Sequence, residues 1–134
     1  MPLVRVDMHK TLEPKRAELS AAIHKGLVDG LEMPADDLFQ IFRLHEPGDL
    51  IYTTTFPNAD RTDIVYIQIL LAKIYSKEDK QRMYSHLVAA IKAVGIKQDN
   101  VLIALTENEG YDWFAPEKED PAGASDSNAE KELV

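Results

Sequence analysis

The chain has 134 residues, 45% of them hydrophobic, a formal net charge of −8 and no cysteine. That is enough for one domain with a full core. The lack of cysteine excludes a disulfide framework, a thiolate nucleophile and a cysteine-bound metal, and the acidic balance argues against a nucleic-acid surface. No apolar run approaches the length of a membrane span, and Arg5, Asp7 and Lys10 interrupt any leader-like stretch at the start, so no membrane association and a cytoplasmic location are expected.

The first eight residues, Met1-Pro2-Leu3-Val4-Arg5-Val6-Asp7-Met8, read as a strand, with β-branched Val4 and Val6 bound for the core. An amino terminus is ordinarily frayed and solvated. Here removal of Met1 would leave a proline whose secondary amine is pinned by the strand behind it. Burial disfavours the charged form of an amine and makes it a usable base or nucleophile near neutral pH. Proline is also common beside an initiator methionine, so this dipeptide alone does not assign a function.

Thr11-Leu12-Glu13-Pro14 is a helix entry with proline in the first turn, and Leu19, Ala22, Ile23, Leu27 and Leu31 recur at helical spacing. Gly30 and Met33-Pro34 end that helix, and Asp36-Asp37 fill the turn after it. A second strand is predicted over residues 38–45, a turn over 46–49, a short edge strand over 50–54, and a loop over 56–62. Residues 63–72 are apolar on both faces, as in a central strand. Ser76 caps a second helix, with Asp79 three residues on, and Met83, Leu87, Ala90, Ile91 and Val94 form its apolar stripe before Gly95 stops it. Residues 100–106 read as the last strand.

The chain therefore repeats one unit. Val4 to Phe39 spans 35 residues and Val65 to Val101 spans 36, each a strand–helix–strand segment whose strands should be parallel. Together they predict an α+β fold with a four-stranded mixed sheet and two helices on one face. Two helices cover one side only, so the mostly apolar row Ile64, Tyr66, Gln68 and Leu70 is expected to meet a second copy of the chain. The domain is expected to occupy residues 1–114. Residues 115–134 carry half of the net negative charge and few large apolar side chains, and read as a flexible acidic tail.

Pro2 at the head of a strand, Pro34-Ala35-Asp36-Asp37-Leu38-Phe39-Gln40, Ser76-Lys77-Glu78-Asp79-Lys80, Thr106-Glu107-Asn108 and Asp112-Trp113-Phe114 together resemble the tautomerase superfamily, with the nearest likeness to its malonate semialdehyde decarboxylase-like group. The resemblance spans roughly residues 2–114. It implies a homotrimer, no metal, no organic cofactor, and a small-molecule 2-oxo or enol acid as substrate. It implies proton transfer by Pro2, assistance from Asp37, and pocket walls from Trp113 and Phe114. Where the family carries an arginine pair for the substrate carboxylate, this chain has Lys73 and Tyr75. Lys73 supplies a point charge without a bidentate fork, and Tyr75 a single hydrogen bond. Lys73, expected beside the start of the first strand, would attract a carboxylate and hold down the proline amine's pKa. The expected function is cofactor-independent keto–enol tautomerisation. The alternatives are a decarboxylase or hydratase using the same proline, and a non-catalytic trimeric binding protein.

Overall fold

The computed structural model describes residues 1–117. Most of the expected acidic tail, residues 118–134, lies outside the described residues. The elements run β1 (Leu3–His9), α1 (Arg16–Leu31), β2 (Gln40–His45), β3 (Val65–Ala72), α2 (Lys77–Ala93) and β4 (Val101–Asn108), with short 3-10 turns before α1 and at either end of β4.

The sheet order is β2-β1-β3-β4. Strands within each unit are parallel, β1 with β2 and β3 with β4, while β1 and β3 meet antiparallel, Leu3 opposite Leu70 and Met8 opposite Val65. The sheet is thus mixed, as expected, and the two units are joined through their first strands. Alternation sorts the side chains. Val4, Val6, Met8, Val65, Ile67, Ile69 and Leu71 are buried under the helices, in one cluster with Leu19, Ile23, Leu27, Met83, Leu87 and Ile91. Each such side chain contributes about 1.5–3 kcal/mol of transfer free energy.

The helices approach closely because α1 carries glycine where they cross. A Cβ on Gly26 would stand 2.8 Å from the Leu87 Cα, and one on Gly30 would stand 2.7 Å from the Met83 Cα. At the start of α2 the hydroxyl of Ser76 accepts the Asp79 amide at 3.0 Å, and the Asp79 carboxylate accepts the Ser76 amide at 2.9 Å. This reciprocal cap satisfies two amides that the helix itself leaves open. Gly95, at φ +89, closes the other end.

Three expectations need correction. The second strand starts at Gln40 rather than 38, and Leu38 and Phe39 are half exposed, 50% and 49%. Residues 50–54 form no strand. Two of their carbonyls go to side chains, Ile51 O to the Tyr66 hydroxyl at 2.8 Å and Thr53 O to the Arg61 guanidinium at 3.0 Å, and Thr54 O takes the Arg61 amide of the following loop at 3.0 Å, which leaves no regular ladder to join. Ile64 is buried, and the open sheet face is less apolar than its β3 row implied. Arg5, Asp7, Arg43 and Gln68 share that face with Leu3, Ile41, Leu70 and Leu102.

Candidate active site

The antiparallel pairing of β1 with β3 decides where the chain start lies. It brings the entry of β1 beside the exit of β3, next to the turn that leads from α1 into β2. Pro2 is buried there, and the Val4 amide donates to Phe39 O at 3.0 Å.

The turn carrying Asp37 is held from several sides. Its own amide donates to Pro34 O at 3.2 Å. His24 on α1 lies 2.6 Å from Ala35 O through Nε2. Ser20 donates to the Gln40 side chain at 2.6 Å, and Gln40 returns a bond to Ser20 O at 3.1 Å. These contacts fix both ends of residues 34–40 against α1. They place the Asp37 carboxylate Oδ2 3.4 Å from the amino nitrogen of Met1, with both side chains mostly buried, 13% and 17% exposed. The other oxygen, Oδ1, is buried and accepts no hydrogen bond from the described residues. A buried carboxylate oxygen without a donor is unusual in a settled structure and leaves one acceptor open.

The third wall comes from the exit of β3. Lys73 N donates to Asn108 O at 2.7 Å, and the chain then turns through Lys73–Ile74. Tyr75 is carried back inward and half buried. Its hydroxyl pKa is raised, first by burial and then by the Asp37 and Asp79 carboxylates, so the phenol stays protonated and can donate.

These walls enclose a cavity of about 510 Å³, lined by Met1, Met33, Asp37, Phe39, Tyr75 and Pro116. Leu31, Pro34 and Ala115 also line it, and Glu32 and Asp36 add two exposed carboxylates. Among the described residues that line it there is no lysine, arginine or histidine side chain. The volume suits a small organic molecule.

Of the residues singled out in the sequence, Asp37 and Tyr75 meet at this cavity, with Pro2 one residue behind its Met1 wall. Lys73 does not line it: the turn after β3 releases its side chain to solvent. Nor do Trp113 and Phe114. Trp113 is half buried and donates through Nε1 to the Asn108 side chain at 2.6 Å, while Phe114 is 90% exposed. The wall expected from that pair is made instead by the next two residues, Ala115 and Pro116. Sequence reasoning misses Met33 and Phe39 as site residues. Met33 reads only as part of a helix stop, and Phe39 as a strand residue.

His9 and His45 sit at the far end of the sheet, 2.7 Å from Asp63 and Asp7 respectively. Among the described residues no cluster of three or more metal-ligating side chains occurs, and no helix is long and apolar enough to cross a membrane.

Known proteins of this form are informative. A family model described as "Tautomerase enzyme" matches residues 37–114. The chain is similar to a probable tautomerase, YusQ, of Bacillus subtilis (strain 168), at 28% identity over 116 residues, which is 84% of this chain and 91% of that protein. Its structure is similar to that of FG41 malonate semialdehyde decarboxylase inhibited by 3-bromopropiolate, with a TM-score of 0.79 and 31% identity over 84% of this chain and 87% of that one. A second malonate semialdehyde decarboxylase, solved in wild-type, mutant and inactivated forms, aligns with a TM-score of 0.78 and 27% identity over 86% of this chain and 91% of that one.

Proposed function

The chain belongs to the tautomerase family, and from that premise we propose that it is a cofactor-independent tautomerase that interconverts keto and enol forms of small carbonyl compounds, with Pro2 as the proton carrier once Met1 is removed. The observation that carries this reading is the sheltered chain start. Met1 lines a 510 Å³ cavity, and its amino nitrogen lies 3.4 Å from Asp37. Removing Met1 transfers that role to the Pro2 nitrogen.

The reaction needs a base that takes a proton from carbon and an acid that returns it to oxygen. The neutral Pro2 amine removes the proton α to the carbonyl, the electron pair moves to the carbonyl oxygen, and the resulting ammonium delivers the proton there. The Tyr75 hydroxyl, kept protonated by its surroundings, donates a hydrogen bond to the oxygen on which negative charge develops. Asp37 orients the amine. Met33 and Phe39 supply apolar walls. The open sheet face is the surface on which we place the contact with two further copies of the chain, giving a homotrimer; a monomeric mass in light scattering would remove that contact.

One observation favours a second reading. A carboxylate beside the amine stabilises its charged form, and a charged amine is a proton donor, as a decarboxylase or hydratase would require. The two readings share Pro2 and differ in substrate. The double substitution Lys73→Arg/Tyr75→Arg should raise decarboxylation if the missing pair limits it.

The test is turnover of the enols of phenylpyruvate and of its methyl ester by the processed protein and by Pro2→Ala. Loss of a general acid–base group lowers the rate about 10²-fold or more. Equal rates in the two proteins would eliminate the proline mechanism. Retention of Met1, seen by mass spectrometry, would favour a non-catalytic binding protein of the same fold.

A further inference from the structure

The cavity has a charge pattern that narrows its ligand. A site for 2-oxo or enol acids needs a cation for the carboxylate, by a fork of N–H donors or at least a point charge. Among the described residues no side chain of the lining offers either. Its ionisable side chains there are Glu32, Asp36, Asp37 and Tyr75, and its one positive group is the amino terminus, 3.4 Å from Asp37 Oδ2, a place taken by the Pro2 amine once Met1 is removed. Lys73 is exposed and outside the lining. Lys80, on the first turn of α2, is bound to Glu107 at 2.9 Å and is also outside it.

The Asp37 side chain is itself mostly buried, 17% exposed, so its charge is weakly screened beside the cavity. A carboxylate ligand would bring a fourth like charge beside three.

Building on the tautomerase reading, we infer that this cavity takes carbonyl compounds without a carboxylate, neutral or cationic, and discriminates against 2-oxo acids. The residues that set the preference are Glu32 and Asp36 at the rim and Asp37 at the base. Met33 and Phe39 hold the hydrocarbon part, and the Tyr75 hydroxyl takes the carbonyl oxygen. This departs from the acid substrate that the resemblance implied. The reason is local: Lys73 and Tyr75 replace the arginine pair, and only the uncharged member of the replacement faces the cavity.

The test is binding of a matched set, 3-phenylpropionate, 3-phenylpropionamide and 3-phenylpropylamine, measured by calorimetry on the full processed chain at low salt. The amide and the amine are expected to bind about tenfold or more tightly than the acid, because like-charge juxtaposition suppresses the wrong partner by at least that much. For the amine against the acid the ratio should shrink in 1 M salt, because the rim carboxylates are exposed and screened. In Glu32→Gln/Asp36→Asn, two exposed substitutions, the acid should approach the amide. Equal or tighter binding of the acid would overturn the inference and indicate a cation supplied from outside the described lining. So would a failure of all three probes to bind. Turnover by Pro2→Ala is read separately, so loss of the tautomerase reading leaves the binding order standing, and a reversed binding order leaves the proline chemistry standing.

Discussion

Gly30 links the helix packing to the cavity, and Gly30→Ala measures that link. In an exposed helix the change would stabilise by about 1 kcal/mol, because glycine has more backbone freedom to lose. At Gly30 the new methyl would stand 2.7 Å from the Met83 Cα, 3.3 Å from its amide nitrogen and 3.4 Å from its Cβ. Carbon atoms pack at about 3.5–4.0 Å, so the helices must separate locally by roughly 1 Å. The obstacle is backbone and cannot rotate away. Overpacking of this kind costs about 1–3 kcal/mol, and with an unyielding backbone obstacle the cost lies toward the upper end, so after the propensity gain a net loss of up to about 2 kcal/mol remains. The bond from Arg82 Nε to Gly30 O, now 2.8 Å, would stretch as well. Urea and thermal melts should show the loss, with the midpoint falling by roughly 5 °C. Residues 31–33 follow directly and line the cavity, so kcat/KM should fall along with stability. Gly26→Ala, one turn earlier and meeting Leu87 at 2.8 Å, should lose similar stability with less effect on turnover. A Gly30→Ala protein that melts at or above the parent temperature would refute the close crossing and the argument built on it.

Tyr75→Phe keeps the ring and removes the donor, so the protein should melt unchanged while kcat/KM for enol substrates drops by about 100- to 1,000-fold, the range for one lost oxyanion donor; unchanged kinetics would leave the hydroxyl without a catalytic part. The Asp79 carboxyl is held below its ordinary value of 3.8, first by the Ser76 backbone amide and then by the Ser76 hydroxyl. A lowered folded pKa gives stability that is present above 3.8 and fades as pH falls through the folded value. Asp79→Asn should therefore flatten the acid side of the stability–pH curve below about pH 4; parallel curves for the two proteins would show that the cap does not depend on charge. Ser76→Ala removes the other half of the cap and should cost about 1 kcal/mol in urea unfolding at neutral pH.

The repeated unit was legible because it is written in periodicities that the backbone imposes. Val4, Val6 and Met8 alternate, Leu19 to Leu31 recur at helical spacing, and Ser76 with Asp79 forms a cap that needs nothing outside four residues. Where the pattern misled, the deciding partner was distant in sequence. Residues 50–54 have strand-like composition, yet their carbonyls bind Tyr66 and Arg61. Leu38 and Phe39 look like strand residues, yet the turn held by His24 and Ser20 delays the ladder until Gln40.

The candidate site shows the same division more sharply. Asp37 and Tyr75 could be named from sequence, but Lys73 could not be placed. Inside β3 a two-residue separation guarantees a shared face. Lys73 and Tyr75 are two apart, which would put both side chains in the cavity or neither. The ladder ends at Ala72, however, and the turn through Lys73–Ile74 breaks the alternation. One side chain goes to water and the other to the cavity. The electrostatic character of the pocket follows from that single turn: with Lys73 inside, it would have offered an anion a partner, and with Lys73 outside it presents Glu32, Asp36 and Asp37. Function in this fold is therefore set where regular structure stops, at the few residues whose direction no periodicity specifies.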